Sequence, residues 1–218
     1  MAGRMMSGKQ QRELCPEQLA AIERLYRGEL GALTCRGDTI LDSPASVQVV
    51  LPGAFNPLHA GHTRMARLAA RVLDVPVAFE LSIENVEKPT LDLGAIAKRL
   101  EQFDEEATIC VTRAATFAHK VQLFSRPTFA VGTDTIMRIA DPRYYDNDTS
   151  HRDSALESIA AAGASFLVFG RSIGNHFRTL AHLDLPASLR AICREVSEAD
   201  FRHDISSTEL RGSNAANE

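Results

Sequence analysis

Two histidines three positions apart, His59 and His62, stand in the segment Gly53-Ala-Phe-Asn-Pro-Leu-His-Ala-Gly-His62. The apolar run Val47 to Leu51 before it reads as a buried strand. Thr63 to Val72 after it carries Met65, Leu68 and Val72 at helical spacing. The histidines therefore belong to a glycine-bearing turn where a strand feeds a helix. Backbone N–H groups there, and the positive end of the helix dipole, attract anions, and imidazoles can add hydrogen bonds to phosphate oxygens. The expected chemistry is the handling of a phosphorylated compound. A protein-held metal would need a third ligand, and no His-Glu-x-x-His or Cys/His cluster supplies one, so no metal ligand is assigned.

A second group lies near the carboxyl terminus. Ser206, Ser207 and Thr208 are favoured at helix starts, where hydroxyls and backbone N–H groups can face an anion; Arg211, one turn on, can fork onto a phosphate. Between the two groups, Gly132-Thr-Asp134 closes an apolar run. A carboxylate there suits ribose hydroxyls, and it equally suits the N-cap of a helix over Thr135 to Ile139.

The elements that must position these residues alternate in type. Strands are expected at 47–51, 76–83, 108–112, 127–131 and 165–169. Helices are expected at 91–103, with Leu93, Ile96, Leu100 and Phe103 inward, and at 114–124 and 150–162. Alternation of this kind implies an α/β fold, a doubly wound parallel sheet of five strands with helices on both faces. Ligands of such sheets bind beyond the carboxyl ends of the strands. The turn 53–62, the loop 85–88, Gly132 to Asp134 and Arg171 all fall there. Residues 1–46 read as a partly helical extension, with a helix over Pro16 to Tyr26 burying Leu19, Ile22 and Leu25 or Tyr26; self-association through it stays open. Residues 47–211 read as the main domain and 212–218 as a flexible tail.

The 218 residues carry a net charge of −4 and are 44% hydrophobic. No general attraction to nucleic acid or to a membrane surface follows, so phosphate must be captured locally. The polar start resembles no secretory signal, and the four scattered cysteines suit free thiols in a reducing cytoplasm, Cys110 as a small core residue.

The segment 53–62 resembles the G-x-F-x-P-x-H-x-G-H signature of the nucleotidyltransferase superfamily. Asp204-Ile-Ser-Ser-Thr-Glu-Leu-Arg211 resembles the I-S-S-T-x-I/L-R signature of its pyridine-nucleotide adenylyltransferases. Together they span Val47 to Arg211. The resemblance implies a Rossmann-like domain with His59, His62 and Arg211 as catalytic groups. It implies an ATP site of Gly53, Ala54, Phe55, Gly61, Gly132, Asp134, Arg171, Ile205, Ser206, Ser207 and Thr208. Asn56, Lys88 and Tyr144 would meet the acceptor, and Mg²⁺ would accompany ATP. The implied reaction joins the AMP moiety of ATP to nicotinamide or nicotinate mononucleotide and releases pyrophosphate. Relatives often stack the pyridine on tryptophan; this chain has none, leaving Tyr144, Tyr145 or Phe177. The alternatives are a phosphopantetheine or CTP-dependent reaction on the same scaffold, or a nucleotide-binding regulatory module without turnover.

Overall fold

The computed structural model describes residues 13–44, 46–87, 89–173, 176–197 and 199. The strands are β1 (Ala32–Arg36), β2 (Thr39–Leu41), β3 (Val49–Pro52), β4 (Val77–Ser82), β5 (Ile109–Thr112), β6 (Thr128–Gly132), β7 (Ser165–Phe169), β8 (Arg171–Ile173), β9 (His176–Arg178) and β10 (Cys193–Val196). The helices are α1 (Pro16–Tyr26), α2 (Ala60–Leu73), α3 (Leu93–Leu100), α4 (Phe117–Lys120), α5 (Thr133–Ala140), α6 (Thr149–Ala161) and α7 (Ala187–Ala191). Among the described residues no helix is long and apolar enough to cross a membrane.

Eight strands form one sheet in the order β10-β7-β6-β3-β4-β5-β1-β2, and β8 pairs with β9 in a separate hairpin. All pairings from β10 to β5 are parallel; β1 joins β5, and β2 joins β1, antiparallel. The five expected strands are present, but the strand count was too low at both edges. Beyond the expected helix, residues before 47 supply the hairpin β1–β2, turned by Gly37 at φ +53°. On the other edge β10 was missed because its burial is slight, with only Val196 buried.

Alternate residues of each strand feed two cores. Val49, Leu51, Phe79, Leu81, Ile109 and Val111 pack with α1, α2 and α3. Val50, Ala78, Cys110, Phe129, Val131, Phe166 and Val168 pack with α5, α6 and α7 on the opposite face. Helices therefore cover both faces, as the near-continuous apolar runs of the strands require.

Several local expectations are corrected. In α1 the buried residues are Gln18, Ala21, Ile22 and Leu25, while Leu19 (43%) and Tyr26 (41%) are exposed. Buried Gln18 is satisfied because its amide donates to Gly37 O and its carbonyl accepts from Cys15 N. Leu93 likewise turns outward at the start of α3, while Ile96, Leu100 and Phe103 are buried as expected. The helix expected over 114–124 shrinks to Phe117–Lys120, capped by Thr116, whose hydroxyl accepts from His119 N. Cys110 is fully buried, and burial pushes its thiol up to about 12, so it behaves as a small core residue.

Candidate active site

The chain runs outward from β3 through β4 and β5, then returns to place β6 on the other side of β3. This reversal puts a switch point between β3 and β6. The two strands pair only at Val49–Thr128 and Val50–Phe129, so their carboxyl ends are not joined beyond Val50. The turn 53–62 leaves β3 on one side of this crevice, and Gly132 leads into α5 on the other.

The turn is built around Phe55. Its ring is 1% exposed and meets His62, Phe79 and Phe103 edge-on at centroid distances of 5.1, 5.7 and 5.1 Å. The ring folds back over Gly53, where a Cβ would lie 2.6 Å from Phe55 Cε1, so position 53 has no room for a side chain. Gly53 N donates to Glu80 O across the sheet, and the Asn56–Pro57 peptide is cis. From α3 and its end come two braces. Arg99 Nη1 donates to Ala54 O at 3.0 Å, Gln102 Nε2 donates to Phe55 O at 3.0 Å, and Leu58 N donates to Gln102 Oε1 at 2.8 Å.

The two histidines cap α2 with their own rings. Gly61 N donates to His59 Nδ1 at 3.1 Å, and His59 N donates to His62 Nδ1 at 3.3 Å, a reciprocal capping box in which imidazoles replace the usual hydroxyl and carboxylate. The rings stack at 3.8 Å, 26° apart. Because each Nδ1 accepts from backbone, the neutral rings carry their proton on Nε2, which becomes the donor. Burial, and secondly the neighbouring His59, pushes His62 down to about 4. At neutral pH His62 is therefore an uncharged, oriented N–H donor at a helix N-terminus.

Across the crevice, Gly132 is the N-cap of α5 and brings no side-chain cap. Asp134 lies in the first helical turn instead of at the cap position considered from sequence. Open space stands over Gly132 Cα, and Asp134 Oδ2 accepts from Arg171 Nη1. The structure thus pairs two expected site residues from the ends of neighbouring β6 and β7. Thr133 Oγ1, buried beside them, has no hydrogen-bond partner among the described residues.

Beyond the ends of β3, β4 and β5 a cleft of about 270 Å³ is lined by Gly53, Ala54 and Asn56, together with Glu80, Arg99 and Lys120. It adjoins a second cavity of about 200 Å³ lined by Tyr144, Tyr145 and Phe117, which shares Asn85 and Arg138 with the first. Tyr144 and Tyr145, two of the candidate stacking rings, thus line the second cavity and not the cleft itself. Phe177 instead lies over Gly170, where its ring leaves no room for a Cβ, and lines neither cavity. Lys88, and Asp204 to Arg211 with Ile205, Ser206, Ser207, Thr208 and Arg211, lie outside the described residues.

Sequence reading missed Glu80, Lys120, Arg99 and Gln102. Only Glu80 carried a signal, as a lone charge inside the otherwise apolar strand Val77-Ala-Phe-Glu-Leu81. The other three matter through contacts that no local pattern announces.

A family model described as "Cytidylyltransferase-like" matches residues 50–213, well over half of the chain. No match is found among curated proteins. Among solved structures, a protein of unknown function from Archaeoglobus fulgidus is similar at 16% identity, covering 46% of this chain and 82% of that one. The TM-score is 0.29. With the signature turn, the doubly covered parallel sheet and the family match in agreement, the chain belongs to the cytidylyltransferase-like family of the nucleotidyltransferase superfamily.

Proposed function

We propose that this protein transfers the adenylyl group of ATP to a phosphate monoester, nicotinamide or nicotinate mononucleotide, and releases pyrophosphate, a step of NAD synthesis. The observation that carries this reading is the imidazole-capped turn at the switch point, whose residues Gly53, Ala54 and Asn56 line a cleft that adjoins an aromatic cavity, while His59 and His62 line neither. That cavity favours a ring-bearing acceptor over phosphopantetheine, since Tyr144 and Phe117 offer flat faces.

In the proposed reaction an oxygen of the acceptor phosphate attacks the α-phosphorus of ATP, and the bond from that phosphorus to the pyrophosphate oxygen breaks. The second ionisation of a phosphate monoester lies near ~6, so the nucleophile is largely dianionic at neutral pH and needs no protein base. The chain's work is to align two repelling anions and to stabilise the charge that develops. His59 and His62 donate to the triphosphate from a turn that packing holds still. Asp134, oriented by Arg171, takes a ribose hydroxyl next to the open face of Gly132. Ile205 to Thr208 and Arg211 hold the outer phosphates, and Lys88 meets the acceptor. Among the described residues no three His, Cys, Asp or Glu side chains gather as a metal site. Mg²⁺ would arrive on the triphosphate and share its charge.

The test is pyrophosphate release with ATP or CTP against both pyridine mononucleotides, phosphopantetheine and phosphocholine. Release with ATP and a pyridine mononucleotide is expected, and His62→Ala should lower kcat at least about 100-fold, the usual loss for one transition-state donor. Turnover confined to CTP or to another acceptor would replace the reading. ATP binding without turnover across the panel would favour a regulatory module.

A further inference from the structure

The wall of the cleft contains an ion pair that the reaction above does not use. Glu80 lies in β4 and Lys120 ends α4; their side chains are 1% and 6% exposed, with Lys120 Nζ 2.6 Å from Glu80 Oε1. Thr112 Oγ1 donates to the same oxygen at 2.5 Å, and Lys120 also donates to Ala114 O at 2.9 Å. Ser82 Oγ donates to Ala114 O as well, and Ala114 N donates to Thr112 Oγ1 at 3.3 Å. Thr112 and Lys120 thus converge on Oε1. The side-chain hydrogen bonds described for Glu80 both fall on Oε1, and Lys120 makes two.

Stability is a poor reason for such a pair. Removing two charges from water offsets most of their mutual attraction, and apolar residues of similar volume commonly serve as well. The neighbours on this face of the sheet, Val50, Ala78 and Cys110, are apolar. Yet Glu80 and Lys120 both line the cleft next to Gly53 and Asn56. A carboxylate oxygen beside an ammonium N–H offers one acceptor and one donor with no net charge. That combination suits a neutral group able both to give and to take a hydrogen bond, and it gives an anion no net attraction. The same cleft provides Arg99 and Arg138 for the anionic end.

We propose that Glu80 and Lys120 bind the hydroxyl-bearing part of the phosphorylated acceptor, so that the protein selects a sugar phosphate over a plain alkyl phosphate. The inference rests on the transfer reaction proposed above, with the acceptor seated in this cleft. Glu80 Oε2 accepts from an acceptor hydroxyl, and Lys120 donates to the oxygen of the same or the adjacent hydroxyl. The phosphate stays with the arginines.

Calorimetry with ribose 5-phosphate and ethyl phosphate separates the two parts of the ligand. The full-length protein should bind ribose 5-phosphate at least about tenfold more tightly, as hydrogen bonds to charged groups imply. In Glu80→Gln the ratio should fall below about twofold, while the unpaired Lys120 charge strengthens both phosphate ligands alike. Should the single variant fail to fold, Glu80→Gln/Lys120→Met removes both charges together and should show the same loss, its fold checked by thermal melting. An absent preference in the unaltered protein, or one that survives in a folded variant, overturns the inference. Turnover of nicotinamide mononucleotide with an unchanged acceptor KM in the variant would sink the pair's role and leave the reaction standing. A sugar preference lost in the variant, without turnover of any pyridine mononucleotide, would sink the reaction and leave the pair.

Discussion

At the carboxyl end of β3 the chain enters α2 through a turn filled by Phe55, capped by two imidazoles and braced by Arg99 and Gln102. At the end of β6 it enters α5 through Gly132, with no side-chain cap, open space over the glycine, and a partly exposed Asp134–Arg171 pair nearby. The two turns share one architecture and flank one crevice, but packing decides the first and solvent reaches the second. A group that must meet a transient charge gains from a turn that cannot rearrange, because its donors are already aimed. A group that holds a ground-state ribose can be an exposed ion pair that exchanges one partner for another at little cost.

The contrast is broken most severely at Phe55. Phe55→Ala empties a site that touches His62, Phe79 and Phe103, and should cost about 3–5 kcal/mol in a urea titration. A loss under about 1 kcal/mol would mean that packing does not hold the turn. Acid comes next. His62 sits near 4 when folded against an ordinary 6.5, so between those values the unfolded chain binds the proton and the native chain does not. Stability should therefore be level above pH ~6.5 and fall by about 2–3 kcal/mol as pH drops toward 4. In His62→Gln the part of this slope due to the histidine should vanish, and an identical slope in the variant would show that other groups carry it. The smallest structural effect is expected at the open turn. Asp134→Asn should change stability by under about 1 kcal/mol, as exposed ion pairs do. It should nevertheless raise the KM for ATP by about tenfold through the weakened ribose contact. A large drop in melting temperature there would place Asp134 with the structural residues.

What was legible in the sequence is local. Turn glycines, helical spacing and the order of apolar runs depend on neighbours a few positions apart, so the β3-to-α2 turn, the five inner strands and the placement of Asp134 and Arg171 at strand ends could be read directly. Edge elements were less legible. Thr39-Ile-Leu41 is too short to show a period, and β10 lies at a sheet edge with Arg194 and Glu195 exposed. Tyr26 and Leu19 show the same limit within α1, where the apolar stripe admitted two faces and Gln18 took the inner one.

By itself the amino-acid order determined that a turn bearing two glycines and two histidines joins a buried strand to a helix, because that pattern is written in ten consecutive residues. Tertiary structure alone decided that His62 stays uncharged, that Gln102 holds the turn from 44 positions away, and that Glu80 meets Lys120 across 40 positions. Desolvation and long-range pairing exist only once the layers have closed, and no local pattern encodes which distant side chains will share a wall.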